Sequence, residues 1–217
     1  MAKAGPHAVM RLTALSLVLT AGTAGAATLC DIPTEVLCEM IDEAAATEPG
    51  NPQKARVLST LHADTRPAVR AQVAQAMGSL WPEPGPAAAA ELRRLSRDES
   101  DSVRISAAVG LARAIERSSA PERIDLVCSW ALSAEPDERL ALARALTWAT
   151  PVFVADLVLQ QLAQDVTATV RAAALAAAAR HFHENSAVYT DIVSQCENDS
   201  DANVKRIARA MLKRARG

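Results

Sequence analysis

Acidic and basic residues recur at fixed spacing in this 217-residue chain, and they are its first candidates for chemistry. In four segments an aspartate is followed, five and six positions later, by a valine and a basic residue. The acid and base of these segments are Asp64 and Arg70, Asp98 and Arg104, Asp165 and Arg171, and Asp199 and Lys205. Carboxylates can act as general acids or bases. However, the valines are spaced by 34, 67 and 34 residues, and a residue that recurs with a structural period is explained by that period. We therefore expect these eight residues to be structural.

Motifs that would support catalysis are missing from the sequence. It has no Gly-x-Ser-x-Gly, no phosphate-binding glycine-rich loop, no paired Cys-x-x-Cys and no His-Glu-x-x-His. His181 and His183 form the only close histidine pair, but side chains two positions apart on a helix diverge and do not converge on one metal ion. A site that includes Glu184 is conceivable only if the helix frays there. We expect no catalytic residue, no cofactor and no metal site.

The N-terminus has the layout of a secretory signal peptide. A weakly basic start is followed by an apolar run from Leu12 to Leu19 and by small residues up to Ala26. The run is shorter than the roughly 20 residues that span a bilayer. We expect cleavage after Ala26, with Ala27 as second choice, and a periplasmic or secreted mature protein; a retained anchor is the alternative.

All four cysteines follow the expected cleavage site. Cys30 and Cys38 are close enough for a local disulfide across a turn, and they are the disulfide candidate. Cys128 and Cys196 belong to different repeats, too far apart for the roughly 7 Å limit between bridged Cα atoms, and we expect them to be buried thiols. The absence of any disulfide is the alternative.

Composition agrees with a helical repeat. Half of the residues are hydrophobic, only 3% are aromatic and the net charge is −2, which excludes a disordered chain and gives no general attraction to nucleic acid. Alanine-rich runs favour helix. Each Asp-to-Arg segment joins two such runs, so the unit is a helix, a short turn and a helix. The double-length middle gap predicts a fifth, degenerate copy at residues 135–141, with Leu140 as its apolar anchor and the basic residue displaced to Arg139 or Arg144.

The Asp-x4-Val-Arg segments followed by small residues closely resemble HEAT repeats, particularly the short type also found in phycobilisome lyases. The resemblance covers residues 52–217 and implies an all-α, right-handed α-solenoid of about five helix pairs. Residues 27–51 would form an N-terminal capping helix and a linker. It also implies a ladder in which the aspartates and arginines link successive turns. Such a ladder is physically reasonable, because an aspartate can accept free N–H groups at a helix start and an arginine can bridge to the next aspartate.

The resemblance to HEAT repeats also implies a concave binding groove on the second helix of each repeat, at the second, sixth and tenth positions after the anchor. Those positions lie opposite the buried stripe. Our candidates for the partner-binding groove are Ile105, Val109, Arg113, Leu142, Leu146, Arg180, Arg206 and Arg214. An apolar centre with a basic edge suits a protein segment with acidic flanks. A frame shift of two residues in the degenerate repeat would instead bury Leu142 and Leu146.

These observations predict a non-catalytic scaffold that binds a protein or peptide partner. We expect no nucleic acid, no integral membrane segment after signal removal, and a monomer. One alternative is a bilin lyase-like enzyme, which the family resemblance suggests. Another is a regulator of an envelope complex that acts through the basic C-terminal helix, whose cations are Lys205, Arg206, Arg209, Lys213, Arg214 and Arg216.

Overall fold

The computed structural model describes residues 32–46, 58, 60–80, 85–149, 153–181 and 186–216. Over these residues the regular structure is entirely α-helical, without a strand. The helices are α1 (Thr34–Ala46), α2 (Pro67–Ser79), α3 (Gly85–Leu95), α4 (Asp101–Arg117), α5 (Ala120–Ala131), α6 (Pro136–Ala145), α7 (Phe153–Leu162), α8 (Ala168–His181), α9 (Ser186–Gln195) and α10 (Ala202–Arg216). The expected signal peptide and Cys30 lie outside the described residues.

Local sequence explains where these helices begin. Pro67 opens α2, Pro121 lies in the first turn of α5 and Pro136 opens α6, positions at which the missing N–H has no intrahelical partner to lose. At the start of α5, the Glu122 carboxylate accepts the Ser119 backbone N–H at 2.9 Å and its hydroxyl at 2.8 Å. The alanine-rich runs between these starts have high helix propensity.

The chain divides into two compact units between Arg117 and Ser118. Helices α1 to α4 belong to the first unit and α5 to α10 to the second. In the first unit, α2 and α4 are in contact at two glycines. A Cβ on Gly78 would lie 2.1 Å from the carbonyl oxygen of Gly110, and one on Gly110 would lie 2.2 Å from that of Ala74. Only glycine permits this backbone approach.

The second unit packs helix pairs around a core of aliphatic and small residues with two large aromatics. Trp130 and Tyr189 are fully buried there. The Tyr189 hydroxyl donates to Asp156 at 2.8 Å, so its polar end has a partner. His181 is also buried, and its Nε2 lies 2.9 Å from the carbonyl oxygen of Leu146. Among the described helices of both units, none is long and apolar enough to cross a membrane.

Candidate functional site

Each aspartate of the repeated segments organises the turn before a second helix. Its Oδ1 accepts the backbone N–H two residues later, at 2.9 Å for Asp64, 2.9 Å for Asp98, 2.8 Å for Asp165 and 2.7 Å for Asp199. An aspartate side chain favours this local bond, which fixes the turn in place.

Arginines link these turns through paired hydrogen bonds. In the first unit, Arg70 donates from Nε and Nη2 to the two carboxylate oxygens of Asp98, both at 2.8 Å. In the second unit, Arg171 binds Asp199 in the same way at 2.8 and 2.7 Å. The Nη1 of each arginine also donates to two backbone carbonyls of its own turn. Planar, bidentate pairing of this kind orients both partners.

The electrostatics agree with this arrangement. At Asp199, the hydrogen bonds from Arg171 outweigh the effect of burial and lower the pKa of the carboxyl group. At Asp98 burial acts in the opposite direction and is the largest single influence, yet the hydrogen bonds from Arg70 and from the Ser100 N–H together leave its pKa lowered. Both carboxylates are therefore held in the ionised form that the arginines need. A general acid or base would instead need a pKa close to the working pH.

The degenerate repeat has a different frame from the one expected. Arg139 binds Asp165 at 2.6 and 3.0 Å and donates to the carbonyls of Ser133 and Ala134, as Arg70 and Arg171 do in their own turns. Ser133 thus occupies the aspartate position, and its Oγ accepts the Glu135 N–H at 3.2 Å. The anchor is Glu138, which is 1% exposed and accepts the Ser133 hydroxyl at 2.8 Å. The basic residue of this repeat was predicted to be Arg139 or Arg144, and Arg139 is the one that binds the next aspartate.

The remaining residues of the expected ladder have other partners. Asp64 accepts the guanidinium of Arg66, from its own turn, at 2.8 Å. Arg104 donates to the carbonyls of Asp98 and Glu99 and to the carboxylate of Asp101 in its own helix. Lys205 is half-buried and contributes to the lowered pKa of Asp199, after Arg171 and the Asp201 N–H.

In the first unit, the predicted groove residues are at or near the surface. Ile105 is 44% exposed, Val109 is half-buried and Arg113 is exposed. The Arg113 guanidinium donates to the carbonyl oxygen of Gln75 at 3.1 Å, near the end of α2. Arg113 therefore already has a structural contact within its own unit.

In the second unit, two predicted groove residues are wrong. Leu142 is 0% exposed and Leu146 is 2% exposed, so both belong to the core. The anchor at Glu138 moves the second, sixth and tenth positions to Leu140, Arg144 and Trp148. Leu140 and Arg144 are half-buried, and Trp148 is 51% exposed.

Two of these corrected positions, Leu140 and Arg144, border a concave depression of about 460 Å³. Leu140, Arg144 and Thr147 line it from α6 and the turn that follows. Its floor is the face of α8, and its other side is the start of α10. The residues contributed by these two sides are Ala168, Thr169, Ala172, Ala173, Ala176, Asp201 and Asn203.

The polar groups of the depression differ in their availability. Asp201 is engaged, because its Oδ1 accepts the backbone N–H groups of Asn203 and Val204 at 2.9 and 3.0 Å and so caps α10. Asn203 accepts the Arg206 guanidinium at 2.8 Å. By contrast, Arg144 makes no side-chain hydrogen bond or ion pair with any residue that the structure describes.

The other predicted cations of the groove lie on α8 and α10. Arg180, Arg206 and Arg214 are all exposed. They occupy the tenth position of one repeat and the second and tenth positions of the next. Arg180 and Arg214 have no side-chain partner among the described residues.

Other candidates for chemistry do not form a site. Within the described ranges, no group of three or more His, Cys, Asp or Glu residues could hold a metal ion. His181 contacts a backbone carbonyl in the core, and His183 lies outside the described residues. Cys128 and Cys196 are free thiols; Cys196 is buried as expected, whereas Cys128 is only half-buried, so that expectation was wrong for Cys128. Because Cys30 is not described, the Cys30–Cys38 disulfide stays a prediction.

One sequence signal could have given the correct frame. Pro136 precedes Glu138 by two positions, as Pro67 precedes Val69, and Arg139 follows the anchor directly, as Arg70 does. An apolar residue is nevertheless expected at the anchor, because an acid at a buried position is rare unless it has a partner.

No protein-family description matches the chain, and no curated protein matches it either. The chain is similar to solved structures of several helical-repeat proteins. Cex1p is 9% identical, with a TM-score of 0.52 over 95% of this chain and 42% of that one. The archaeal HEAT-like repeats protein from Thermococcus onnurineus NA1 is 13% identical, with a TM-score of 0.40 over 85% and 80% of the two chains. A designed armadillo repeat protein in complex with the peptide (KR)4 is 13% identical, with a TM-score of 0.46 over 93% and 98%. The likeness shows the fold alone, and that fold is an all-α solenoid of helical repeats.

Proposed function

We propose that this protein is an exported, non-catalytic scaffold that binds an extended segment of a partner protein in the depression formed by α6, α8 and α10. The observation that carries this proposal is the depression itself, about 460 Å³ in volume and lined by second helices of three consecutive repeats. Helical-repeat proteins use such surfaces for extended contacts with partners.

The lining suits a peptide backbone. Four alanines of α8 form a floor without long side chains, so an extended chain can approach closely. Leu140 supplies apolar surface in the lining, and the half-exposed Trp148 follows the lining residue Thr147 in the chain; apolar and aromatic anchors ordinarily contribute much of the binding energy at an interface. The aspartates of the turns are ionised and bound by arginines, which supports a structural and not a catalytic role for them. Export rests on the N-terminal sequence pattern alone.

Site-specific photocrosslinking tests this function. A photoreactive amino acid replaces Thr169, which is exposed and lines the depression, and in a separate variant replaces Ser194, which is exposed on α9. We expect a discrete protein adduct in the source organism from position 169 and none from position 194. Adding Ala176→Trp fills the depression and is expected to remove the adduct. Equal adducts from both positions, or an adduct that persists with Ala176→Trp, would contradict the proposal.

A further inference from the structure

We propose that the segment bound in this depression is acidic, and that one of its carboxylates pairs with Arg144. This inference rests on the proposed function, because it names the chemistry of the segment that the depression holds. Arg144 lines the depression at the sixth position of its repeat.

Arg144 differs from the arginines of the turns in having no side-chain partner among the described residues. Arg139, five residues earlier on the same helix, has a bidentate aspartate and two carbonyls. Arg144 is half-buried yet has no side-chain partner in the described part of the chain. A guanidinium offers five N–H donors in a fork that matches a carboxylate, and partial burial strengthens such a pair relative to one in open water.

The face around Arg144 carries positive charge. The second, sixth and tenth positions of the three repeats in the second unit include four arginines and no acid: Arg144, Arg180, Arg206 and Arg214. The acid that borders the depression, Asp201, already accepts two backbone N–H groups of α10. The face is therefore complementary to negative charge, which favours an acidic segment over a neutral or basic one.

The separation of Arg144 and Arg206 determines how far apart two acidic residues of the bound segment would be. Arg144 lies on α6 and Arg206 on α10, and both of these helices contact α8. Packed helices are about 8 to 10 Å apart, so the two arginines are separated by roughly 16 to 20 Å. An extended chain advances about 3.3 to 3.6 Å per residue, so two carboxylates about five or six residues apart would reach both arginines.

Fluorescence anisotropy with synthetic peptides tests this inference on the full chain. The probe is a labelled nine-residue peptide of alanine and glycine with two glutamates six positions apart, and its matched control has glutamine at both positions. We expect the glutamate peptide to bind at least tenfold more tightly than the control. Arg144→Gln should weaken its binding about tenfold or more, since a hydrogen bond to a charged group contributes about 1.5 kcal/mol or more. Arg97→Gln removes the same charge from an exposed turn of the first unit and should change nothing.

The possible failures are distinguishable. If both peptides bind equally, and Ala176→Trp but not Arg144→Gln prevents binding, the acidic preference is wrong and the proposed function stands. If Ala176→Trp leaves peptide binding unchanged, both proposals fail. If Lys213→Gln weakens binding of the glutamate peptide and Arg144→Gln does not, the peptide carboxylates bind near the exposed Lys213 of α10 and not at Arg144. That result would overturn the inference. Equally tight competition by anionic phospholipid vesicles or by single-stranded DNA of the same charge would overturn it as well.

Discussion

The pair of acids bound by Arg70 offers a controlled test of the energetics of the turns. Asp98 and Glu99 are adjacent, and both contact the same guanidinium. The Asp98 side chain is 9% exposed and receives two bonds of 2.8 Å, whereas Glu99 is 87% exposed and lies 3.4 Å away. A substitution of Asp98 therefore disrupts a buried ion pair, whereas a substitution of Glu99 removes a solvent-exposed contact of the same arginine.

We expect Asp98→Asn to destabilise the protein by about 3 kcal/mol. The asparagine retains one oxygen for the Ser100 N–H but loses the charge and places an NH₂ group against the donors of Arg70. Removing one partner of a buried pair costs roughly 3 to 5 kcal/mol, and the remaining oxygen places this case near the lower end of that range. Glu99→Gln should cost at most about 1 kcal/mol, as exposed ion pairs do.

The assay is urea unfolding followed by circular dichroism at 222 nm, with hydrogen exchange of α2 and α4 to assign the transition to the first unit. For a cooperative unit of this size, 3 kcal/mol corresponds to a loss of roughly 10 °C or more in Tm. Equal and small effects of the two substitutions would refute the reasoning, because they would mean that the buried pair contributes no more than the solvated one.

Four further outcomes follow from the structure. The lowered pKa values of Asp98, Asp165 and Asp199 mean that the unfolded chain binds more protons than the folded one. Stability should therefore fall as the pH drops below about 4 and through the lowered pKa values, and the difference between wild type and Asp98→Asn should shrink there, as measured by urea midpoints against pH. Leu142→Ala should cost about 2 to 5 kcal/mol because the residue is fully buried, whereas Leu140→Ala at the depression should cost less than about 1; similar costs in urea unfolding would contradict the corrected frame. Gly110→Ala should destabilise the first unit by about 1 to 3 kcal/mol, because the added Cβ meets the Ala74 carbonyl, and a gain in Tm would disprove that close approach. N-terminal sequencing of the exported protein should begin at Ala27, and recovery of an intact Met1 or Ala2 start would show that the signal is not cleaved.

Much of the fold could be predicted from the spacing of a few residues. The interval of 34 residues between Val69 and Val103, and again between Val170 and Val204, predicts helix pairs, and the all-α solenoid is confirmed. Periodicity works here because each repeat must present the same apolar face to its neighbours.

The candidate site was less predictable, for a physical reason at Glu138. The anchor position is normally apolar because it is buried, but here a serine hydroxyl satisfies a buried carboxylate. A sequence pattern does not reveal that local hydrogen bond, so it favours the apolar Leu140 as the anchor. This displaced the groove by two residues, so that Leu142 and Leu146 were assigned to the surface and Arg144 was not.

The partners of the arginines were also only partly predictable. Arg70 and Arg171 each bind the aspartate of the next turn within their own unit, whereas Arg104 binds backbone carbonyls and the Asp101 carboxylate. Whether a guanidinium such as Arg144 is already paired depends on three-dimensional packing, which composition and spacing do not encode.

Amide chemical-shift mapping of the full chain, titrated with the glutamate peptide, tests whether the second unit binds an acidic segment between α6, α8 and α10. We expect saturable shifts at Leu140, Arg144, Thr169, Ala172 and Ala176, with none at exposed residues of α9 such as Ser194. Shifts confined to α9 or to the first unit, or identical shifts with the glutamine peptide, would contradict it.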